Sequence, residues 1–204
     1  RKESSAASDV YKRQIDGHAP GIRGKEVQAY RLAGVENDHE CSTAEEVLDK
    51  LRAGLHIYVR EGSGAKNLET LIKTMLDAGV CLDRCAFCTD DKHVEEIRKE
   101  GHISTCIRKA IALGVPVAKA YKMGSYQAAE FYGLKNYGAI GAGYRADIVF
   151  LDDLEQVRPL DVMKDGRILT EEDYAKDYSV PVPDELLHTC LLYTSDAADD
   201  SLRV

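Results

Sequence analysis

An α/β fold built on a parallel sheet is what this sequence predicts, and three observations lead to it. Apolar β-like runs alternate with helix-period segments from Gly24 to Tyr132, with little linker between them, the pattern of repeated βαβ units. Four stretches end a β-like run with polar groups where a helix begins: IDGHAPG (His18), ENDHE (His39), YVREGS (Arg60, Glu61) and CAFCTDD (Asp90, Asp91). Past Gly133 the character changes to turn signals and short extended runs, as a separate small β domain requires. In a (β/α)8 barrel the carboxyl ends of successive parallel strands converge on one face, so polar groups distant in sequence can share a site.

Taken in order, Gly24–Ala33 reads as a helix closed by Gly34, and Val35–His39 as a short strand. Thr43 with Glu46, or Ser42 with Glu45, can form a capping box. It opens a helix whose apolar stripe is Ala44, Val47, Leu48 and Leu51, ended by Gly54. Leu55–Val59 is the next strand. Leu68, Leu71, Ile72, Met75 and Leu76 then follow one helical face, suited to packing on a sheet. Cys85–Thr89 is a strand with Asp90 and Asp91 at its end, and helices are expected at 94–100, 103–113 and 117–132. In the last region Asp147–Leu151 reads as β, and Asp165-Gly166 in VMKDGRIL as a hairpin turn.

Both ends of the chain look foreign. Ser4–Gln14 and Cys190–Asp199 can be translated from the two strands of one double-stranded oligonucleotide, the second one base out of frame, and they resemble a transposase sequencing adapter. Residues 1–14 and 190–204 are therefore set apart. This removes Arg1, Lys2, Lys12, Arg13 and Arg203 together with Glu3, Asp9, Asp196, Asp199 and Asp200, so the formal net charge of −8 is unchanged. A mildly acidic chain argues against a nucleic-acid scaffold, and no apolar run reaches the ~18 residues of a membrane span. The expected division is 15–138 for the α/β part and 139–169 for the start of the small β domain, with 170–189 unassigned. Cys81, Cys85 and Cys88 read as reduced packing thiols or as a zinc or redox cluster; no second CxxC partner follows them.

Each polar group has a plain alternative. His18 can be a loop histidine bonded to its own backbone, His39 the start of a capped helix, and Asp90 an N-cap. Arg60 and Glu61 can form a surface ion pair or orient a polar heterocycle. His93 and His102 read as helix-start residues, and His56, on the opposite rim, as structural. Their recurrence at successive strand ends favours one site, because His and Asp are donors that a divalent ion accepts.

The runs IDGHAPG, AYRLAGVENDHECSTAEEVLDKLRAG, REGSGAKNLETL, CTDDKHVEEIRKEGHI and GAIGAGYRADIVFLDDL resemble the bacterial adenine deaminases of the amidohydrolase superfamily, over nearly all of 15–165. The resemblance implies the C-terminal half of a metal-dependent (β/α)8 barrel followed by part of a small β-sandwich, and a dinuclear manganese or iron site. It implies His18, His39 and Asp90 as metal ligands, Asp90 as the catalytic proton carrier, and Arg60, Glu61, Glu40 and Asp91 as substrate contacts. The implied reaction is hydrolysis of adenine at C6 to hypoxanthine and ammonia, in a cytoplasmic purine-salvage enzyme. Its partner is a small purine, with no nucleic acid or membrane, and self-association is left open. The family's His-x-His pair is absent from 15–189, so the chain alone is expected to be inactive. Alternatives are another metal-dependent cyclic amidohydrolase, or a non-catalytic barrel module.

Overall fold

The computed structural model describes residues 16–176, 179 and 181–184. The flanks expected to be foreign, 1–14 and 190–204, lie outside the described residues. Contacts divide the chain into one unit ending at Ile168 and a second beginning at Leu169. Among the described residues no helix is long and apolar enough to cross a membrane.

The first unit opens with α1 (Lys25–Leu32), β1 (Asn37–Asp38), α2 (Ala44–Arg52), β2 (His56–Arg60), α3 (Leu68–Asp77), a 3₁₀ turn (Leu82–Arg84) and β3 (Cys85–Cys88). The three strands form one parallel sheet in sequence order, with Asn37 opposite His56 and Arg60 opposite Cys88. Parallel neighbours need a crossover, which α2 and α3 supply. Thr43 and Glu46 make the capping box that opens α2. On α3 the stripe is realised: Leu68, Leu71, Ile72 and Met75 are fully buried. They pack with Ile57, Val59 and Phe87 in one core.

Two expectations are corrected. Asp16–Ala19 form no strand; Gly17 instead donates its N–H to Asn37 Oδ1 at 2.6 Å. A side chain at position 17 would collide with the Asn37 carbonyl oxygen, at 1.8 Å from the added Cβ. The helix expected at 117–132 is broken. After α4 (Val94–Glu100) and α5 (Ile103–Ala112), α6 (Val117–Gly124) and α7 (Tyr126–Phe131) are separated by Ser125. The Ser125 hydroxyl is within bonding distance of the carbonyls of Tyr121, at 3.0 Å, and Gly138, at 3.1 Å. Such local side-chain bonding competes with helix continuation.

The unit closes with an antiparallel sheet of β4 (Ile148–Leu151), β5 (Pro159–Lys164) and β6 (Arg167–Ile168). Asp165 and Gly166 have φ of 50 and 79°, the two left-handed positions of a type I′ hairpin turn. In the second unit, α8 (Glu171–Tyr174) is capped by Thr170 and Asp173.

Candidate metal centre

Side chains alternate across a strand, and this sorts the polar residues at the ends of β1–β3. Arg60, on the same face as Tyr58, lies with His39 and Asp90 near a cleft of about 280 Å³ that Asp16, His39, Tyr58, Cys88, Asp90 and Tyr132 help to line. His18 reaches the same place from the loop before α1, held by its N–H to the Tyr30 hydroxyl at 2.8 Å.

Glu40 is the common partner. Its Oε1 lies 3.4 Å from His18 Nδ1, 3.3 Å from His39 Nε2 and 2.5 Å from Arg60 Nη1. One ligand atom from each of His18, His39 and Glu40 falls within 4.8 Å of the others. The two rings are tilted by 58° with centroids 5.5 Å apart. His18 is mostly in solvent, at 66% exposure of its side chain, whereas His39 is at 19%. Asp90 joins through the guanidinium: Arg60 Nη1 is 2.7 Å from Asp90 Oδ2, and Nη2 is 3.3 Å from Asp91 Oδ1. Burial works against the charge of Arg60, but Glu40, Asp90 and Asp91 outweigh it and push its pKa above the ordinary value. Asp90 has φ 45°, a left-handed backbone that turns the chain sharply out of β3.

Two of the expected contacts are employed elsewhere. Glu61 points to the other face of the sheet, where it is buried and accepts a bond from Lys109 Nζ at 2.5 Å. The pleat that brings Arg60 into the cleft takes its neighbour out of it. Asp91 clamps the REGSG turn: its Oδ2 accepts the Gly64 N–H at 2.8 Å. That bond, with Arg60, holds its carboxyl below the usual range. A Cβ on Gly62 would meet Asp91 Oδ1 at 1.8 Å, so the turn and the carboxylate are packed in contact.

The remaining candidates are structural. His56 packs against Phe131 with centroids 4.3 Å apart and the rings tilted by 47°, and burial, then Arg84, lowers its pKa to about 4. His102 Nε2 is 2.7 Å from Thr89 Oγ1, and His93 donates its N–H to Ser63 Oγ at 2.9 Å. Cys81, Cys85 and Cys88 are free thiols, burial pushes the last two up to about 12, and among the described residues the three do not gather their sulfurs into a metal-binding group.

Beneath the cluster lies a network of which the sequence showed only the Thr43–Glu46 capping box. Lys50 Nζ bonds the Ala19 carbonyl at 2.7 Å and Asp38 Oδ2 at 2.9 Å. Glu46 accepts the N–H groups of Ser42 and Thr43, each at 3.0 Å, and that of Gly21. Burial raises the pKa of Glu46, but these bonds win and hold its carboxyl at about 2. For Lys50 the only available sign was its place three residues after Val47, on the buried side of α2.

The amidohydrolase family model matches residues 2–169. A protein from Clostridium acetobutylicum named adenine deaminase is 45% identical over 163 residues, covering 80% of this chain and 28% of that protein. Another so named, from Desulfitobacterium hafniense, is 41% identical over 189 residues, covering 93% of this chain and 33% of that one. The chain thus spans about a third of the length of these relatives. Among solved structures, the β-aspartyl dipeptidase of Fervidobacterium islandicum AW-1 matches with a TM-score of 0.58 at 18% identity, over 81% of this chain and 49% of its own. That likeness is one of α/β fold. With the family model covering most of its length and a His-, Glu- and Asp-bearing rim on a parallel sheet, the chain belongs to the amidohydrolase family.

Proposed function

We propose that the protein of which this chain forms part hydrolyses adenine to hypoxanthine and ammonia. In this reading residues 15–138 are the C-terminal half of a (β/α)8 barrel and 139–169 begin a small β-sandwich. The observation that carries the activity is the convergence of His18, His39 and Glu40 at one rim, in a chain 45% identical over 163 residues to a protein named adenine deaminase.

The family implies a divalent metal cofactor, and the residues present suit one. Two imidazoles and a carboxylate are a donor set that such an ion accepts. Asp16, Glu40, Asp90 and Asp91 also outnumber the single Arg60 guanidinium, leaving negative charge for a cation to offset. His18, His39 and Asp90 are the proposed ligands, with Glu40 as a further donor, and a two-ion manganese or iron centre is the finer reading. A divalent ion held by these residues would supply Lewis-acid activation of water.

Asp90 takes the proton released as the water oxygen bonds to C6. It delivers that proton to the exocyclic nitrogen as the C6–N bond breaks, so that ammonia leaves rather than an amide anion. Arg60 keeps Asp90 and Glu40 within reach of the ring, and with Glu40 it forms the polar wall for the purine edge. A site built to pair with ring donors and acceptors rejects analogues that lack them. A cytoplasmic purine-salvage role completes the reading.

The test is a chimera. The matching segment of the Clostridium acetobutylicum relative is replaced by residues 15–169, manganese is supplied, and ammonia release from adenine is followed. Release that disappears on His39→Ala is expected, with none from this chain alone. A folded, metal-loaded chimera that releases no ammonia from adenine would overturn the substrate.

A further inference from the structure

Lys50 and Asp38 are fully sealed from solvent, each side chain at 0% exposure. Removing two charges from water is costly, and an apolar pair of similar volume would often serve stability as well. What distinguishes the pair is what it joins. The ammonium bonds the carbonyl of Ala19, next to His18, and the carboxylate of Asp38, next to His39. Asp38 in turn accepts the Ala19 N–H at 2.8 Å through Oδ1. Through Oδ2 it accepts the Glu40 N–H at 3.1 Å and the Cys41 thiol at 3.4 Å. The Ala19 N–H is therefore fixed directly to the segment that carries His39 and Glu40, and the Ala19 carbonyl is fixed to it through Lys50. Farther along that loop, Glu46 on α2 holds the Gly21 N–H.

Resting on the metal reading above, we infer that Lys50 with Asp38 is a positioning pair: it locks the His18 loop to the His39–Glu40 segment and so presets the donor spacing for a divalent ion. Neither residue touches the ion. Their effect is on the geometry of residues that do, where supporting hydrogen bonds commonly govern affinity.

The test uses cobalt(II), whose visible absorption reports bound geometry, titrated into the whole chain and into the double variant Lys50→Met with Asp38→Asn. That variant removes both charges together, and circular dichroism checks that the helices persist. Amide hydrogen exchange at residues 17–21 is read in parallel without metal. The expected result is a loss of cobalt affinity of about 10- to 100-fold, together with faster exchange at Ala19, whose N–H Asp38 accepts. Unchanged affinity, or unchanged protection of that amide, overturns the inference. Lys50→Arg, which keeps the charge but cannot place one ammonium on both acceptors, is read the same way if the double variant does not fold. Failure of the unaltered chain to bind cobalt would count against the metal reading, and the exchange comparison would still decide the role of Lys50.

Discussion

Lys50 on α2 and Asp38 at the end of β1 sit in the protein interior with no exposed side-chain surface, whereas beside the small β4–β6 sheet Lys164 pairs with Asp147 at 55% and 25% exposure. The apolar side chains follow the same trend. Val149, Phe150 and Leu160 of the small sheet are exposed, while Ile57, Val59 and Phe87 of the parallel sheet are buried. Charges in water are screened and hold little together. A desolvated pair is costly to make and costlier to break, so its presence marks a place where geometry outranks stability.

The widest gap between these regions is expected when one partner is removed. Lys50→Met leaves the Asp38 charge buried and alone and should lower unfolding free energy by ~3–5 kcal/mol in urea titration. Lys164→Met should leave the urea midpoint where it was, and equal losses in the two variants would erase the contrast. Backbone packing gives a smaller difference. Gly17→Ala drives a methyl onto the Asn37 carbonyl and should cost ~3 kcal/mol. Gly166→Ala meets nothing closer than 3.9 Å at φ 79° and should cost only the left-handed penalty of ~1 kcal/mol.

Acid sharpens the comparison with the smallest effects. The folded-state pKa of His56 is lowered from 6.5 to about 4 by burial, so between those values the unfolded chain takes up a proton that the folded chain refuses. Stability should fall as pH drops through that window, and His56→Gln should flatten it. Glu46 is lowered from 4.5 to about 2 by its backbone bonds against the opposing effect of burial. Its contribution is complete above 4.5 and is lost as pH falls toward 2. Asp147 is also held below its ordinary value by Lys164 and the Asp165 N–H; in 0.5 M salt, with a screening length of ~4 Å, its share of the acid limb should shrink more than that of Glu46.

Where the sequence carries a strong period, the structure follows it. The α3 stripe is buried as its spacing demands, α4 spans Val94–Glu100 as expected, and the Asp-Gly turn forms the hairpin. The meeting of His18 with His39 was legible from polar groups recurring after β-like runs, although only His39 follows a strand and His18 stands in a loop. What was not legible depends on neighbours distant in sequence. A lysine in an amphipathic helix reads as solvent-facing unless its acceptors are known, and those of Lys50 lie 31 and 12 residues away. Arg60 and Glu61 were taken together as a polar pair, but β pairing continues through the Glu61 N–H to the Cys88 carbonyl, so the pleat separates them. The bond from the Gly64 amide to Asp91 spans 27 residues, which no local pattern shows. The break at Ser125 likewise needed the Gly138 carbonyl as a second acceptor.

The close approach of Gly62 to Asp91 also has a consequence for how such a chain can diverge. Any side chain at position 62 occupies the space of the carboxylate at 91, so neither position can drift freely while the other is retained. The two are expected to change together across a lineage, with a shorter residue at 91 appearing before or alongside the first β-carbon at 62.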